Sequence, residues 1–263
     1  MMNEIFIKDA EYPEYYANLN GLRKKIARLL PLPSESLILD VPTGSGYLAI
    51  EIGLCESSEK ITGIDIASSD VERARKELFR HALTKQVEIV RMDATNMGFR
   101  AGSFDVVTNF MGLEDIHMTR GLIGIQRFFS QVARVLKTGG NFCFTVMPPE
   151  EMETEAQMME TRVFNYVCGA KWFNLNYYEK LLNRTGLRLL EKGTLYTGKK
   201  LTPRQARQEI EYACTSVPEV YGVRTRTFDD VWSKFGPGIE RHGLGHYSKS
   251  VYLKAIKTCA SPS

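Results

Sequence analysis

The 263-residue sequence lacks the features that would mark a specialised class. Its five cysteines, Cys55, Cys143, Cys168, Cys214 and Cys259, are scattered and form no C-x-x-C pair. Neither a zinc site nor a disulfide framework is signalled. An odd, dispersed set of thiols fits a reducing cytosol, so a cytoplasmic location is expected. No apolar run approaches the roughly 18 residues of a membrane span. Met1 to Asp9 has no long apolar core of the kind a signal peptide carries. There is no internal repeat and no low-complexity segment. A formal net charge of +3 is too small to argue for nucleic acid, and no basic stripe with interleaved aromatics is present. From Arg188 to Ser263 there are 13 Lys/Arg against 7 Asp/Glu. That surplus leaves an anionic substrate or acidic partner open beside the plainer reading of a solvated basic face.

What is there is an ordinary globular composition, 43% hydrophobic and 25% charged, at a length that suits one large domain with an insert. The organising stretch is Leu37 to Ile52. An apolar run, Leu37 to Leu39, ends on Asp40. A Pro/Gly/Ser turn, Pro42 to Gly46, follows, and Leu48, Ala49, Ile50 and Ile52 then take the spacing of a helix start. Strand, glycine loop and helix N-terminus together let the backbone approach a ligand and offer it free N–H groups. Asp65 closes a second apolar run, Ile61 to Asp65, where a carboxylate can accept both hydroxyls of a ribose. The first half therefore reads as a nucleoside-cofactor site.

Residues 1–36 read as a helical, aromatic-rich cover. Tyr12, Tyr15, Tyr16 and Leu19 lie on one side, Leu22, Ile26, Leu29 and Leu30 form a second stripe, and Pro31 and Pro33 end the helix. Strands are expected at 37–41, 60–65, 87–91, 103–109 and 141–147. Helices are expected from the glycine loop to about Cys55, broken near Ser57-Ser58, from a cap region at Ser68-Ser69-Asp70, and from about Leu122 to Leu136. Lys137-Thr-Gly-Gly140 reads as a helix stop and turn. Beyond Pro148-Pro149 a helix within 150–169, a helix at 175–185 and a strand at 187–195 follow. Thr202-Pro203 opens a helix to about Cys214. Ser216 to Gly245 is rich in glycine, proline and aromatics, and 246–257 is a last strand. Residues 200–245 form an insert suited to a lid.

This alternation predicts an α/β fold with a doubly wound, Rossmann-like, mostly parallel sheet and helices on both faces. The expected division is an N-terminal cover (1–36), a cofactor-binding half (37–147) and a substrate half (148–263). Asp40, Asp65, Asp93 and Asn109 all fall at strand carboxyl ends, where such sheets bind ligands.

These residues resemble the class I S-adenosylmethionine-dependent methyltransferase family, in particular the small-molecule enzymes of ubiquinone and menaquinone biosynthesis. The resemblance implies seven strands with the last antiparallel. It matches the family's first motif at Asp40-Val-Pro-Thr-Gly-Ser-Gly46, with Pro42 in place of the usual first glycine, and Gly44 and Gly46 where the backbone runs closest to the methionine part. It places Asp65 on the ribose and Ile66 on an adenine face. It sets Asp93, followed by Ala94, near the adenine amino group, and Asn109 and Phe110 beside the methionine tail and substrate. The implied cofactor is S-adenosylmethionine, with S-adenosylhomocysteine as product.

Gly44-Ser-Gly46-Tyr-Leu-Ala49 also satisfies the dinucleotide fingerprint G-x-G-x-x-A, so an NAD-binding oxidoreductase stands as the rival. A non-catalytic cofactor- or partner-binding module is the other alternative. Asp40 immediately before the loop, positioned to meet an ammonium group, and the Asp93-Ala94 pair favour the methyltransferase. Methyl transfer needs an aligned nucleophile, excluded water and a proton acceptor, and no metal. His117, which follows the fourth motif, is the chosen base, with His242, His246 and tyrosines of the N-terminal segment as alternatives. Glu114 and Asp115 read as a solvated loop, with contact to a cationic substrate as the alternative. Aromatic and methionine residues within 152–178 point to an apolar or aromatic small-molecule acceptor. The acceptor atom and any oligomer are left open.

Overall fold

The computed structural model describes residues 3–55 and 60–259. The expected helix break at Ser57-Ser58 lies outside the described residues, as does the side chain of Tyr16. The elements run β1 (Ile5–Phe6), α1 (Tyr12–Asn18), α2 (Leu22–Leu29), β2 (Leu37–Asp40), α3 (Tyr47–Cys55), β3 (Lys60–Asp65), α4 (Ser68–Arg80), β4 (Val87–Arg91) and β5 (Phe104–Phe110). They continue with α5 (Leu113–Val135), β6 (Leu136–Val146), α6 (Glu155–Cys168), α7 (Leu175–Arg184), β7 (Leu187–Tyr196), β8 (Lys199–Leu201), α8 (Pro203–Tyr221), α9 (Phe228–His242), β9 (Leu244–Gly245) and β10 (Lys249–Lys257).

The main sheet has seven strands in the order β4-β3-β2-β5-β6-β10-β7. Pairing is parallel from β4 through β6, and β10 runs antiparallel to both β6 and β7. The order reverses between β2 and β5, and at that switch point the loops after the two strands diverge and leave a crevice. Alternation along each strand builds two cores. Ile38, Val106 and Cys143 face the layer of α2, α3 and α4. Leu39, Val107, Phe142 and Phe144 face α5 and α7, with Phe128, Phe129 and Tyr178 fully buried against them. Among the described residues no helix is long and apolar enough to cross a membrane.

Several expectations are corrected. Lys137–Gly140 is not a turn between elements but the start of β6. The pairing shifts between Phe104/Leu136 and Val106/Asn141, and Gly139 takes φ +82°. A bulge there was read as a stop because both need a left-handed glycine. The helix expected from about Leu122 does start after a break at Gly121 (φ 64°, ψ −163°), but a further helical segment, not foreseen, precedes it from Leu113. Glu114 is thereby buried rather than solvated, since Leu113 and Ile116 turn the same face inward. The expected Ser68-Ser69-Asp70 cap is not formed: the residue at the α4 N-cap is Ala67, without a side-chain cap, and Asp65 Oδ1 accepts from Ala67 N at 2.9 Å. α8 runs on to Tyr221, and α9 occupies the glycine-rich stretch, where Gly236, Pro237 and Gly238 hide the burial of Val231 and Ile239. The small sheet β1-β8-β9 was not foreseen, because strands of two and three residues show no periodicity. The reading of Thr202-Pro203 as a helix start matches a capping box with Gln205.

The N-terminal segment is tied down by hydrogen bonds rather than by apolar packing alone. Tyr12 donates to Glu209 Oε2 at 2.6 Å, and Tyr15 donates to the His246 carbonyl at 2.9 Å.

Candidate functional site

The turn between β2 and α3 is stitched to β3. Thr43 N donates to the Ile64 carbonyl at 2.8 Å, and Gly44 N donates to Asp65 Oδ2 at 2.8 Å. Thr43 Oγ1 donates to Asp40 Oδ2 at 2.6 Å, and Ser45 Oγ donates to Asp70 Oδ1 at 2.9 Å. The Val41–Pro42 peptide is cis. Gly44 takes φ +52° with nothing within 4 Å of an added Cβ, so the backbone is bare toward the ligand side. Gly46 (φ +79°) differs: a Cβ there would lie 3.0 Å from Ala74 Cβ. It lets α4 approach the loop and does not line the cavity, which corrects its expected cofactor contact.

Beyond these carboxyl ends opens a cavity of about 460 Å³, with Asp40, Pro42, Gly44, Asp65 and Phe110 in its wall. A small cavity of about 40 Å³ shares Pro42, Asp65, Asp115 and Tyr221 with it and is also lined by Ile66, Asp93 and Ala94. Asn109 lines neither. It is 1% exposed, and its Nδ2 donates to the Val41 carbonyl at 2.8 Å, so it braces the loop from behind. Asp93 is at the right edge but engaged. Oδ1 accepts from Thr95 N and Oγ1 at 2.8 and 2.7 Å, and Oδ2 accepts from Arg120 Nε and Nη2 at 3.2 and 3.0 Å. Burial raises its pKa, but these bonds outweigh burial and hold the carboxyl below the usual range. An adenine amino group would have to compete with Arg120 for it.

The loop is ringed by carboxylates. Asp40 is 1% exposed, and its Oδ1 is buried with no hydrogen-bond partner among the described residues. Burial pushes its pKa up to about 7, against the Thr43 bond and the Arg23 charge. Burial likewise raises Asp65, against hydrogen bonds from Ala67 and Gly44. Asp115 is raised by burial and by Asp65 and Asp70. Asp70 and Asp115 also line the large cavity. Arg23, from α2, lies 5.1 Å from the ring centroids of both Tyr47 and Phe110.

His117 is corrected as a base in the cavity. It lines neither cavity. Its Nδ1 meets the Gly169 carbonyl at 3.2 Å, its ring stands edge-on to Phe173, and burial lowers its pKa. His242 is outside as well. His246 does line the large cavity, packed among Tyr12, Tyr15 and Tyr247. Burial and then Arg23 push it down to about 3, so it is neutral at pH 7 and a weak base. Asp115, read as a solvated loop, also lines that wall, and Arg23, Glu160 and Glu209, in it too, escaped sequence reading. Each comes from a helix or turn remote from the glycine loop and outside any motif. The one usable signal was Glu160 on an otherwise apolar helical face with Met159 and Val163.

Buried carboxyls make stability pH-dependent. Glu160 is raised from 4.5 to about 8, mainly by burial against backbone hydrogen bonds from Tyr247 and Ser248. Its raised folded pKa contributes stability that is fully present below 4.5 and is lost as pH rises through 8. His246, lowered from 6.5 to about 3, acts oppositely and only below 6.5. Unfolding free energy of the ligand-free chain is therefore expected to fall between pH 6.5 and pH 8. Glu160→Gln should flatten that fall, as read by urea denaturation at the two pH values. Equal slopes in both chains would refute the assignment.

Residues 38–140 match the family model described as a methyltransferase domain. The demethylmenaquinone methyltransferase of Bacteroides fragilis is 30% identical over 119 residues, 45% of this chain and 46% of that protein. The 27-O-demethylrifamycin SV methyltransferase of Amycolatopsis mediterranei is 31% identical over 140 residues, 52% of this chain and 49% of that protein. The match thus spans about half the length of these relatives. Among solved structures, the 4+2 cyclase SpnF superposes with a TM-score of 0.65 at 18% identity, over 99% of this chain and 89% of that one. A geranyl diphosphate methyltransferase in complex with SAM superposes at 0.59 and 13%, over 95% and 92%. Both likenesses speak to the fold, which hosts more than one chemistry.

Proposed function

We infer that this chain, which matches a methyltransferase-domain model at residues 38–140, is a class I S-adenosylmethionine-dependent methyltransferase that moves a methyl group from S-adenosylmethionine to a small-molecule acceptor. The observation that carries the reading is the set of carboxylates Asp40, Asp65, Asp70 and Asp115 along the cofactor end of one cavity. A dinucleotide would bring its pyrophosphate to the helix N-terminus of this loop. Asp70 is hydrogen-bonded to Ser45 of the loop itself, and Asp40 immediately precedes it. Like charges so close repel a pyrophosphate and attract a sulfonium and an ammonium group. S-adenosylmethionine, when bound, supplies a methyl carbon already activated by the positive sulfur.

In this reading Asp40 Oδ1 accepts from the ammonium and Arg23 faces the carboxylate of the methionine part. Asp65 accepts from the ribose hydroxyls, Gly44 leaves the backbone open, and Ile66 and Ala94 flank the adenine, with Asp93 reached only past Arg120. Pro42 supports the turn without an N–H, and Phe110 separates the cofactor from the acceptor. His246 is the histidine that lines the cavity, neutral at pH 7. Residues 1–36 cover the site, and 148–263, including the 200–245 insert, form the acceptor side. The acceptor has an apolar or aromatic body, matching Phe164, Trp172 and Tyr212 in the wall. The five cysteines are free thiols, in keeping with a cytoplasmic location.

Calorimetric titration with S-adenosylmethionine, S-adenosylhomocysteine and NAD in parallel tests this. Micromolar binding of the first two and none of NAD is expected, and binding of NAD alone would overturn the reading.

A further inference from the structure

Helix α8 walls the large cavity with one face. Glu209, Tyr212, Ser216 and Val220 succeed one another at intervals of three or four residues, the spacing of neighbours on a helix surface, and all line it. Tyr221 follows them at the end of the helix and lines it as well. Tyr221 also lines the small cavity. Of the described residues around that small cavity, it alone comes from beyond Arg120. The residues common to both cavities are Pro42, Asp65, Asp115 and Tyr221, so these four mark the place where the two meet. The first three stand at the carboxyl ends of β2, β3 and β5 or just beyond them. The fourth is delivered by the insert.

The last turn of α8 owes its position to the loop that follows it. Pro218 lies inside the helix and has no N–H, so the Cys214 carbonyl, four residues back, cannot receive the usual helical bond. That carbonyl accepts instead from Thr225 Oγ1 at 2.8 Å. Gly222, left-handed at φ 67°, ends the helix, and Arg226 N donates to the Val167 carbonyl of α6 at 3.0 Å. The chain on both sides of Tyr221 is thus anchored, and the half-buried tyrosine is held at the junction.

Resting on the methyltransferase reading, we propose that Tyr221 is a cofactor-binding residue, whose ring covers the adenosine of S-adenosylmethionine where Asp65 takes the ribose. The chemistry of the junction suits a nucleoside. Its carboxylates accept from the sugar hydroxyls, and the base offers a π face on which an aromatic side chain stacks whatever the base. Covering the junction also keeps water from Asp65, which strengthens the hydrogen bonds it makes to the ligand. A residue of the acceptor-side insert thereby takes part in holding the cofactor, beyond the strand-end motifs.

The test titrates the full chain by calorimetry with S-adenosylhomocysteine and with methylthioadenosine, a nucleoside that lacks the amino-acid part. Tyr221→Ala is expected to weaken both by the same factor, about tenfold or more, the scale of stacking between a base and an aromatic side chain. The melting temperature of the ligand-free variant should fall by only a few degrees. Tyr221→Phe keeps the ring and should bind within about threefold of the unaltered chain. Arg224 is exposed just past the turn. Saturating S-adenosylhomocysteine should slow trypsin cleavage after it at least about threefold in the unaltered chain, because a ligand that binds the closed form depletes the open one, and should not do so in Tyr221→Ala. Normal binding of both ligands by the alanine variant, a loss confined to S-adenosylhomocysteine, or an equal loss in Tyr221→Phe overturns the proposal. Should the alanine variant not fold, protection at Arg224 in the unaltered chain decides: its presence upholds the proposal and its absence overturns it. Failure of the unaltered chain to bind S-adenosylhomocysteine would instead overturn the methyltransferase reading on which the proposal rests.

Discussion

Asp65→Ala is expected to weaken S-adenosylmethionine binding at least about a hundredfold, the largest single effect at the cofactor end. Its two oxygens each accept one backbone N–H, from Gly44 at 2.8 Å and from Ala67 at 2.9 Å, and each retains acceptor capacity. Two ribose hydroxyls donating to a carboxylate contribute about 1.5–3 kcal/mol apiece, and about 1.4 kcal/mol is tenfold. Folding loses less. Two backbone N–H groups lose an acceptor, but a buried charge whose burial raises its pKa is also removed. A destabilisation of about 1–2 kcal/mol would lower the melting temperature by a few degrees, at about 2–4 °C per kcal/mol. Titration calorimetry and a melting curve on the same preparation separate the two. Unchanged affinity would remove Asp65 from the site. An affinity loss matched by a collapse in melting temperature would mean that the loop, not the contact, was lost.

Gly112→Ala is expected to destabilise the protein by about 1–3 kcal/mol, the range for overpacking, and to weaken cofactor binding at least about tenfold. An added Cβ would lie 2.4 Å from Pro42 Cγ and 2.7 Å from Cδ. A proline ring cannot swing aside. Its neighbours are held as well: Val41 N donates to the Thr108 carbonyl at 2.9 Å and Thr43 N to Ile64 at 2.8 Å, and Asn109 holds the Val41 carbonyl. The displacement therefore passes into the Pro42–Gly44 turn or into the start of α5, where Glu114 and Asp115 sit. Pro42→Ala in the same chain removes both clashing carbons, so the double variant should lose less than the sum of the two single losses, a coupling that a double-mutant cycle measures. Unchanged urea midpoints in the single variant, or additive losses in the double, would refute the steric argument.

The strands and the residues at their carboxyl ends were legible because they obey local rules. Apolar runs of about five residues ending on Asp40 and Asp65 carry their own boundaries, and a buried parallel strand needs no distant partner to be recognised. Asp40, Pro42, Gly44, Asp65 and Phe110 meet at one cavity, and Ile66, Asp93 and Ala94 line the small cavity beside it. Gly46 and Asn109 were also at the right place in the chain. What they do there depends on what packs behind them, Ala74 in one case and the Val41 carbonyl in the other. Asp93 was legible as a position, but its occupation by Arg120, 27 residues on, was not. His117 failed as a base for a like reason. Sequence proximity to the fourth motif brought it near the cavity, but the helix beginning at Leu113 turned it toward Gly169.

Apart from the antiparallel last strand, which only the family resemblance implied, the sequence by itself determined the layered α/β fold, its parallel strands and the polar residues at their carboxyl ends. Those features follow from hydrophobic periodicity and from a loop whose residues are contiguous. Only the tertiary structure decided the rest of the cavity wall. Glu114 from α5, Glu160 from α6, Glu209 from α8 and His246 beyond β9 share one cavity wall although they are far apart along the chain. Convergence of this kind arises from helix packing and from long-range hydrogen bonds such as Tyr12 to Glu209 and Tyr15 to the His246 carbonyl. Burial of those carboxyls, which governs their protonation, is a property of the folded packing, not of any segment.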